Sequence, residues 1–149
     1  MPAPAPQRVT SAAIVKFRAF EEENGTLVPL TALKEIPFPI GRIFYVYGVA
    51  AGDIRGEHAH RECHQMLVCL RGICEITVDD GTETRSFALD SPKQGLHVPP
   101  TLWATQRYGS RDTVLLVVTD QPYNEADYLR DYDAFLAFRG VARRRAANG

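Results

Sequence analysis

Short apolar segments separated by turn residues make up most of the chain, and they predict a protein built from β-strands. Residues 42–47 and 113–119 are especially rich in aromatic and β-branched side chains, which favour extended backbone. We expect the second of these segments to be a central strand. Many short strands at even spacing are typical of a sandwich or barrel. The other predicted strands cover residues 26–30, 65–70, 73–78, 82–89 and 95–100.

Two of the predicted connections are short turns. Arg71 and Gly72 separate the strands at 65–70 and 73–78, so a hairpin is predicted there. Asp79, Asp80 and Gly81 form a second turn, which leads into the strand at 82–89. A hairpin would make its two strands antiparallel neighbours in one sheet.

Only the C-terminal part of the chain has a helical pattern. Asn124 is a suitable N-cap, acidic residues follow it, and Gly140 is a suitable end. The three arginines at 143–145 are interpreted as a solvated terminus and not as a binding patch. Between the two ends, apolar side chains recur at helical spacing: Tyr128, Leu129, Tyr132, Phe135, Leu136 and Phe138.

Length and composition fit one globular domain with a hydrophobic core. The chain has 149 residues, of which 45% are apolar and 23% charged, and these values are ordinary for folded domains. A net charge of −1 argues against nucleic acid as the main partner. No apolar run reaches the roughly 18 residues of a membrane span, and the first residues do not resemble a signal peptide. The predicted organisation is a disordered, proline-rich lead-in at 1–8, a single domain at 9–140 and a basic flexible tail at 141–149.

The cysteines give an indication of the cellular compartment. Cys63, Cys69 and Cys74 are odd in number and form no CxxC pair, which argues against a disulfide framework or a zinc knuckle. A reducing cytoplasm is therefore the predicted location.

Two histidines separated by one residue are the main candidate for chemistry. His58 and His60 follow a glycine-containing loop, and in a strand they would point to the same face because side chains alternate. Two imidazoles on the inner wall of a sheet suggest a metal site or a proton-transfer site. A third interpretation is a pair of packed core histidines without chemistry, although buried imidazoles then need hydrogen-bond partners.

The spacing of Gly52, the two histidines and Gly72 resembles the first sequence motif of the cupin superfamily. Metal-binding cupins add a glutamate after the second histidine and a further histidine from a second motif. Those positions hold Gln65 and Ala104 here. Catalytic zinc normally takes three protein ligands, and an iron facial triad takes two histidines and a carboxylate. Glu57 and Glu62 carry carboxylates, but as neighbours of the histidines they are expected to point to the other face. His64 and His97 are possible third ligands, but nothing in the spacing selects them, and no metal or other cofactor is expected.

A metal-free histidine pair is suited to proton transfer. Imidazole titrates near neutral pH, so that one ring can accept a proton while the other donates one. Arg42 and Arg55 flank the pair and are candidates for binding an anion through charge-assisted hydrogen bonds. Trp103, the one tryptophan of the chain, is a candidate for stacking on a substrate ring. Arginines are more often ordinary surface residues, and a lone tryptophan is more often part of a core.

A more specific resemblance covers roughly residues 9–138. The chain resembles the nucleotide-linked sugar 3,4-ketoisomerases, the WxcM-like branch of the cupins. The segment His58-Ala59-His60 together with the C-terminal segment at 123–135 is the most specific part of the match. The segments that carry the resemblance are 37–47, 55–60, 65–72, 89–92, 95–100 and 123–135.

This resemblance implies an all-β cupin fold, a double-stranded β-helix in the form of a jelly-roll barrel, with a short C-terminal helix. It implies a homodimer, often with exchanged N-terminal strands. The implied reaction converts dTDP-4-keto-6-deoxyglucose to a dTDP-3-keto-6-deoxyhexose without a redox change, in the biosynthesis of 3-amino-3,6-dideoxy sugars. The alternatives are an RmlC-like 3,5-epimerase, a non-catalytic sugar-nucleotide-binding cupin and a metal-dependent oxygenase. The sequence leaves open the C4 configuration of the product and the identity of the nucleotide.

The resemblance also implies roles for particular residues. His58 and His60 become the acid/base pair, with Gln65 assisting His60, and Arg42 and Arg55 bind the diphosphate or the sugar oxygens. A tyrosine on the preceding strand often assists in this family. Phe44 stands at that position and cannot donate a proton, so that Tyr45 is the candidate for the catalytic tyrosine and Phe44 for a substrate contact. In a regular strand Tyr45 and Tyr47 lie on the opposite face, and either reaches the site only if the register slips.

Overall fold

A computed structural model describes residues 4–142 of the protein. The first three residues of the predicted lead-in and the predicted arginine-rich end at 143–149 lie outside the described residues. The strands are β1 (Ala13–Lys16), β2 (Phe20–Glu22), β3 (Gly25–Leu27), β4 (Arg42–Tyr47), β5 (Ile54–His60), β6 (Gln65–Arg71), β7 (Cys74–Asp79), β8 (Thr84–Leu89), β9 (Gln94–Val98), β10 (Trp103–Tyr108), β11 (Val114–Thr119) and β12 (Tyr128–Leu129), and the helix is α1 (Tyr132–Arg139).

Two five-stranded antiparallel sheets form the body of the molecule. Their strand orders are β1-β9-β6-β11-β4 and β12-β5-β10-β7-β8, and β2 pairs with β3 in a small separate hairpin. The predicted all-β fold with a short C-terminal helix is therefore confirmed. The β11 strand pairs with β4 on one side and β6 on the other, as expected of a central strand. No helix among residues 4–142 is long and apolar enough to cross a membrane.

The predicted hairpin around Arg71 and Gly72 is wrong. Both edges of β6 are occupied by β9 and β11, whereas β7 pairs with β8 and β10 in the other sheet. The chain therefore crosses from one sheet to the other at Gly72. A φ of 79° is found there, and a Cβ would lie 2.5 Å from Thr113 Oγ1, so that only glycine fits this crossing.

The predicted C-terminal helix is shorter than expected. Asn124 caps a single 3-10 turn, and the chain then extends as β12 before Asp131 caps α1 through a hydrogen bond from Ala134 N. Gly140 ends the helix in the left-handed conformation with a φ of 71°, as predicted. Sheet pairing of β12 with β5 thus takes precedence over the helical spacing of Tyr128 and Leu129.

Three clusters of buried side chains hold these elements together. The largest fills the space between the two sheets and includes Leu67, Ile76, Val117 and Tyr108. A second cluster lies on the outer face of the first sheet beneath the segment around Phe38. The third lies beneath α1: Ala59, Leu129, Phe135 and Leu136, with Trp103 and Tyr132 packed against them.

A buried carboxylate joins the start of the domain to the β7–β8 turn. Asp80 is 1% exposed and accepts hydrogen bonds from the backbone nitrogens of Val9, Thr82 and Glu83 at 2.8 to 3.1 Å. Burial by itself raises the pKa of Asp80, but the hydrogen bonds from Glu83, Thr82 and Val9 outweigh it and hold the pKa well below the usual range. The carboxylate is therefore ionised in the folded protein at neutral pH.

We expect Asp80→Asn to lower the free energy of unfolding at pH 7 by about 1–3 kcal/mol, because an amide removes the charge that these donors stabilise. The folded-state pKa is depressed, so the contribution is fully present above the unfolded-state value of about 3.9 and is lost as the pH falls below it. Urea denaturation at pH 7 and at acidic pH measures both effects. Asp112→Asn, at an exposed loop position, is the control. Equal losses in the two variants, or a loss that does not shrink in acid, would contradict this account.

Candidate active site

His58 and His60 lie side by side on β5. His58 pairs with Ala104 of β10, whose side chain belongs to the cluster between the sheets, and His60 pairs with Tyr128. Because directly paired residues share a face of the sheet, both rings are on the inner face. The ring centroids are 5.0 Å apart and the rings are perpendicular. The prediction that the two histidines share a face is confirmed.

The surroundings of His58 fix its protonation. Its Nδ1 lies 2.9 Å from the carbonyl oxygen of Gly56. A carbonyl can only accept, so Nδ1 carries the hydrogen and Nε2 carries the lone pair. Burial, followed by the nearby His60, lowers the pKa of His58 to about 4. His58 is therefore neutral at pH 7, with Nε2 ready to accept a proton.

The surroundings of His60 are different, because this ring is bonded to a carboxylate. His60 is 6% exposed, and its Nδ1 lies 2.9 Å from Asp127 Oδ2. Asp127 Oδ1 accepts a further hydrogen bond from Glu62 N at 2.8 Å. Burial by itself raises the pKa of Asp127. The hydrogen bonds from His60 and Glu62 lower this pKa by more than burial raises it, so the pKa lies below its usual value. His60 Nε2 is buried and has no hydrogen-bond partner among residues 4–142.

A tyrosine contacts both histidines from β12. The ring of Tyr128 is 4.4 Å from that of His60 and 4.9 Å from that of His58, centroid to centroid. The Arg130 guanidinium lies over the Tyr128 ring, 4.2 Å from its centroid. Arg130 in turn forms a two-fold ion pair with Glu125, with distances of 2.6 and 2.9 Å. Charged groups therefore hold Tyr128 against the histidine pair.

Three of the predicted site residues lie on the inner face of the first sheet. Arg42 and Phe44 pair with Thr119 and Val117 of β11, and the Arg42 guanidinium lies 4.5 Å from the centre of the Phe44 ring. Gln65 is buried at the start of β6, also opposite Thr119. Arg42 and His60 line the same small cavity, of about 10 Å³. The structure thus brings Arg42 to the edge of the histidine site.

A one-residue bulge brings Arg55 to the face of the histidines. Ala104 pairs with His58 but Thr105 pairs with Gly56, so that Glu57 is the extra residue, with a φ of 52°. Arg55 consequently pairs with Gln106 on the inner face. Arg55 also lines a surface groove of about 820 Å³ together with Arg111, Tyr45 and Tyr47.

The structure does not bring Tyr45 or Trp103 to the histidines, which corrects two sequence predictions. The register of β4 against β11 does not slip, so Tyr45 faces outward, is 64% exposed and stacks on Tyr47 at 6.1 Å between centroids. Trp103 faces away from the inner side chain of Ala104 and packs against Tyr132 and Phe135, at 5.2 and 5.7 Å. Trp103 is part of the α1 cluster and not of the site.

Comparisons with known proteins assign the chain to a family. Residues 10–140 match the family described as FdtA, WxcM-like, C-terminal. The chain belongs to this family. Over 122 residues it is 38% identical to the TDP-4-oxo-6-deoxy-alpha-D-glucose-3,4-oxoisomerase of Aneurinibacillus thermoaerophilus, covering 82% of this chain and 88% of that protein.

Solved structures of similar proteins agree with this family assignment. A 3,4-ketoisomerase from Helicobacter canadensis is 40% identical and has a TM-score of 0.84, with 87% of this chain and 97% of that chain covered. A histidine-to-asparagine mutant of the 3,4-ketoisomerase QdtA from Thermoanaerobacterium thermosaccharolyticum, in complex with TDP-4-keto-6-deoxyglucose, is 31% identical with a TM-score of 0.85. The match covers 89% of this chain and 96% of that one. The predicted cupin fold and ketoisomerase family are confirmed.

The metal-ligand set of metal-binding cupins does not fit this FdtA-family chain. Ala104 lies directly opposite His58 in the ladder and has no ligand atom, and Gln65 offers a neutral amide in place of a carboxylate. We therefore derive no step through a metal at these positions.

Sequence reasoning missed Asp127 and Tyr128, whose side chains contact the histidine pair. Both lie in a segment for which helical spacing was predicted, and their position depends on the pairing of β12 with β5. Residues more than sixty positions apart in the chain are joined by this pairing, and no local pattern predicts it. The available signal was the resemblance at 123–135, which marked the segment without giving a role to either side chain.

Proposed function

We propose that this chain is an isomerase that converts TDP-4-keto-6-deoxyglucose to a TDP-3-keto-6-deoxyhexose by proton transfer through an enediol. The observation that carries the proposal is the difference between the two imidazoles. His58 is neutral and carries its lone pair on Nε2, whereas His60 is bonded to an ionised carboxylate. Two titratable groups in unlike environments are what paired acid/base chemistry needs. Relatives 38% and 40% identical are named as a 3,4-oxoisomerase and a 3,4-ketoisomerase.

The proton movements follow from this difference. His58 Nε2 removes the proton from C3, which is acidic because C3 lies next to the C4 carbonyl. His60, protonated on both nitrogens beside Asp127, donates a proton to the C4 oxygen and so forms the enediol. His60 then takes the proton from the C3 hydroxyl, while His58 returns its proton to C4. The net result is a C3 carbonyl and a C4 hydroxyl, and both histidines recover their starting states.

Other residues are proposed to hold the substrate. Arg42 borders the small cavity beside His60, and Arg55 lines the groove with Arg111. Guanidinium groups suit a diphosphate or sugar oxygens because they form paired, charge-assisted hydrogen bonds. Gln65 is retained as a proposed aid to His60, and Phe44 as a proposed substrate contact.

The tyrosine role is reassigned in this proposal. Tyr128 contacts both histidine rings and replaces Tyr45 as the candidate assisting tyrosine. Tyr45, stacked on Tyr47 in the groove of Arg55, offers an aromatic surface on which a base can stack.

An NMR assay tests the proposed reaction. TDP-4-keto-6-deoxyglucose and its GDP-linked counterpart are incubated with the protein, and the position of the carbonyl carbon is followed. We expect the carbonyl signal to move from C4 to C3 with the TDP-linked substrate, and the C4 coupling constants to report the gluco or galacto configuration. A carbonyl that stays at C4 with inversion at C3 or C5 would indicate an epimerase. Binding with neither a carbonyl shift nor deuterium uptake from D₂O would indicate a non-catalytic protein.

A homodimer with exchanged N-terminal strands is proposed as the assembly. β1 lies at the edge of its sheet and pairs only with β9 among the described strands, so that the β1 of a second copy can take the same place. Ile43, Tyr45 and Tyr47 are each more than half exposed on the outer face of β4 and offer an apolar contact surface. Light scattering after gel filtration measures the mass. A cytoplasmic location is also proposed, supported by three free cysteines.

A further inference from the structure

We propose that His60, Cys63 and Asp127 form a binding site for Zn²⁺, and that a zinc ion bound there inhibits the isomerase by occupying His60. One potential ligand atom from each of these residues lies within 4.8 Å of those of the other two, and all three residues are buried. Imidazole nitrogen, thiolate sulfur and carboxylate oxygen are the three kinds of ligand that zinc takes in proteins. This site shares His60 with the ligand positions of metal-binding cupins, but its other two ligands, Cys63 and Asp127, take the place of the positions held here by His58, Gln65 and Ala104.

A cavity of suitable size lies between these residues. His60, Cys63 and Asp127 all line the small cavity of about 10 Å³, which is close to the space that one water molecule occupies. A single ion fits such a space and a larger ligand does not.

The local backbone keeps the three ligands together. His60 ends β5 and Cys63 follows three residues later in the connection to β6. Asp127 is tied to this connection twice, by Arg61 N donating to its carbonyl oxygen at 2.9 Å and by Glu62 N donating to Oδ1 at 2.8 Å. Asp127 Oδ2 is 2.9 Å from His60 Nδ1. The geometry that orients His60 therefore also assembles the metal ligands.

Charge balance favours a divalent ion. When zinc binds, the S–H bond of Cys63 breaks as the S–Zn bond forms, and the N–H bond at the ligating nitrogen of His60 breaks as the N–Zn bond forms. Both protons pass to solvent. Thiolate and carboxylate then neutralise the two positive charges, and a neutral imidazole completes three protein ligands, leaving the fourth position for water. Arg42 also lines the cavity and opposes a cation there. Its guanidinium lies over the rings of Phe44 and Tyr123, at 4.5 and 5.2 Å from their centroids.

Inhibition follows because a metal-bound His60 cannot deliver a proton to the substrate. This part of the inference rests on the proposed function, whereas zinc binding itself does not. The experiment therefore measures binding and turnover separately.

Binding is measured on the purified chain by competition with a chromogenic zinc chelator, and by Co²⁺ titration, since a cobalt–thiolate bond gives a charge-transfer absorption band. We expect one equivalent of zinc to bind and the cobalt band to appear. Cys63→Ser should weaken zinc binding by at least about 100-fold. Loss of a residue that only supports a metal ligand weakens metal binding by roughly 10–100-fold, and loss of a ligand itself should weaken it more. Cys69→Ser is the matched control, because Cys69 is also buried, its Sγ donates to Arg71 O, and it does not belong to the His60–Cys63–Asp127 group.

Turnover is measured with and without zinc. Zinc should inhibit the unmodified protein and Cys69→Ser reversibly, with full recovery on addition of a chelator, whereas Mg²⁺, which prefers oxygen ligands, should have no effect. Cys63→Ser and Cys63→Ala should keep their turnover and resist zinc. Failure of the unmodified protein to bind zinc would overturn the proposal, and so would equal binding by Cys63→Ser. Zinc binding by a chain without isomerase activity would contradict the proposed function and not the metal site.

Discussion

Replacing His58 by asparagine should lower kcat by roughly 10²–10⁴-fold, the usual contribution of a positioned acid/base group. His58 is the imidazole whose Nδ1–H is held by the Gly56 carbonyl and whose pKa is lowered to about 4 by burial and by His60. The asparagine amide can still donate to that carbonyl, but it has no basic nitrogen. The substrate should therefore bind and remain unchanged. The measurement is the carbonyl shift from C4 to C3 by NMR, together with deuterium uptake from D₂O.

A matched control for His58→Asn is available on the other side of the first sheet. His97 also has a pKa lowered to about 4, by burial and by His64, which lies 3.0 Å away, ring nitrogen to ring nitrogen. It faces the cluster beneath Phe38 and not the barrel interior. His97→Asn should retain turnover. Undiminished proton exchange in His58→Asn would remove His58 from its assigned role.

Replacing Asp127 by asparagine should lower kcat by about 100-fold or more, because His60 loses the charged partner that orients its ring and stabilises its protonated form. Asp127 contacts His60 and the 61–62 backbone, so it is a positioning residue. KM should therefore change little. Deuterium uptake from D₂O should fall together with kcat, since both depend on the proton that His60 delivers.

Two measurements distinguish this role from a purely structural one. The free energy of unfolding of Asp127→Asn records the cost of weakening the hydrogen bond from Glu62 N. Asp120→Asn is the control, since Asp120 accepts a comparable bond from His64 N without contacting His58 or His60. Both variants should lose some stability, and only Asp127→Asn should lose turnover at an unchanged KM. Equal losses of turnover in the two variants, in proportion to their losses of stability, would mean that Asp127 acts through the fold alone.

The sequence predicted the strands well where residue pattern and pairing agree. Residues 42–47 and 114–119 are alternating or continuously apolar, and they form adjacent strands with an unbroken register. The same regularity explains the outward position of Tyr45, which the alternation of side chains had already indicated. The hairpin at Gly72 failed because a two-residue connection suits a sheet-to-sheet crossing as well as a turn. Local spacing does not state which strand is the neighbour.

Only part of the site was predicted, because local spacing does not identify the strands that become neighbours. His58 and His60 follow from alternation along one strand, and that information is local. Asp127 and Tyr128 come to them through β12, which pairs with the last two residues of β5 from the far end of the chain. Arg55 reaches the inner face only because of the bulge at Glu57. Such contacts depend on long-range pairing and on a single irregular residue, neither of which periodicity reveals.

The bulge at Glu57 divides β5 into two parts, and the direction of the side chains in one part is independent of that in the other. The residues before it, including Arg55, have their inward or outward direction set by this one extra residue, whereas the histidines after it take their direction from the pairing with Ala104 and Tyr128. If Glu57 paired with Thr105 in a regular register, Arg55 would turn outward and Ile54 inward, and both imidazoles would stay in place. This architecture therefore allows the inward-facing side chain at 54–55 to change while the histidine pair keeps its position.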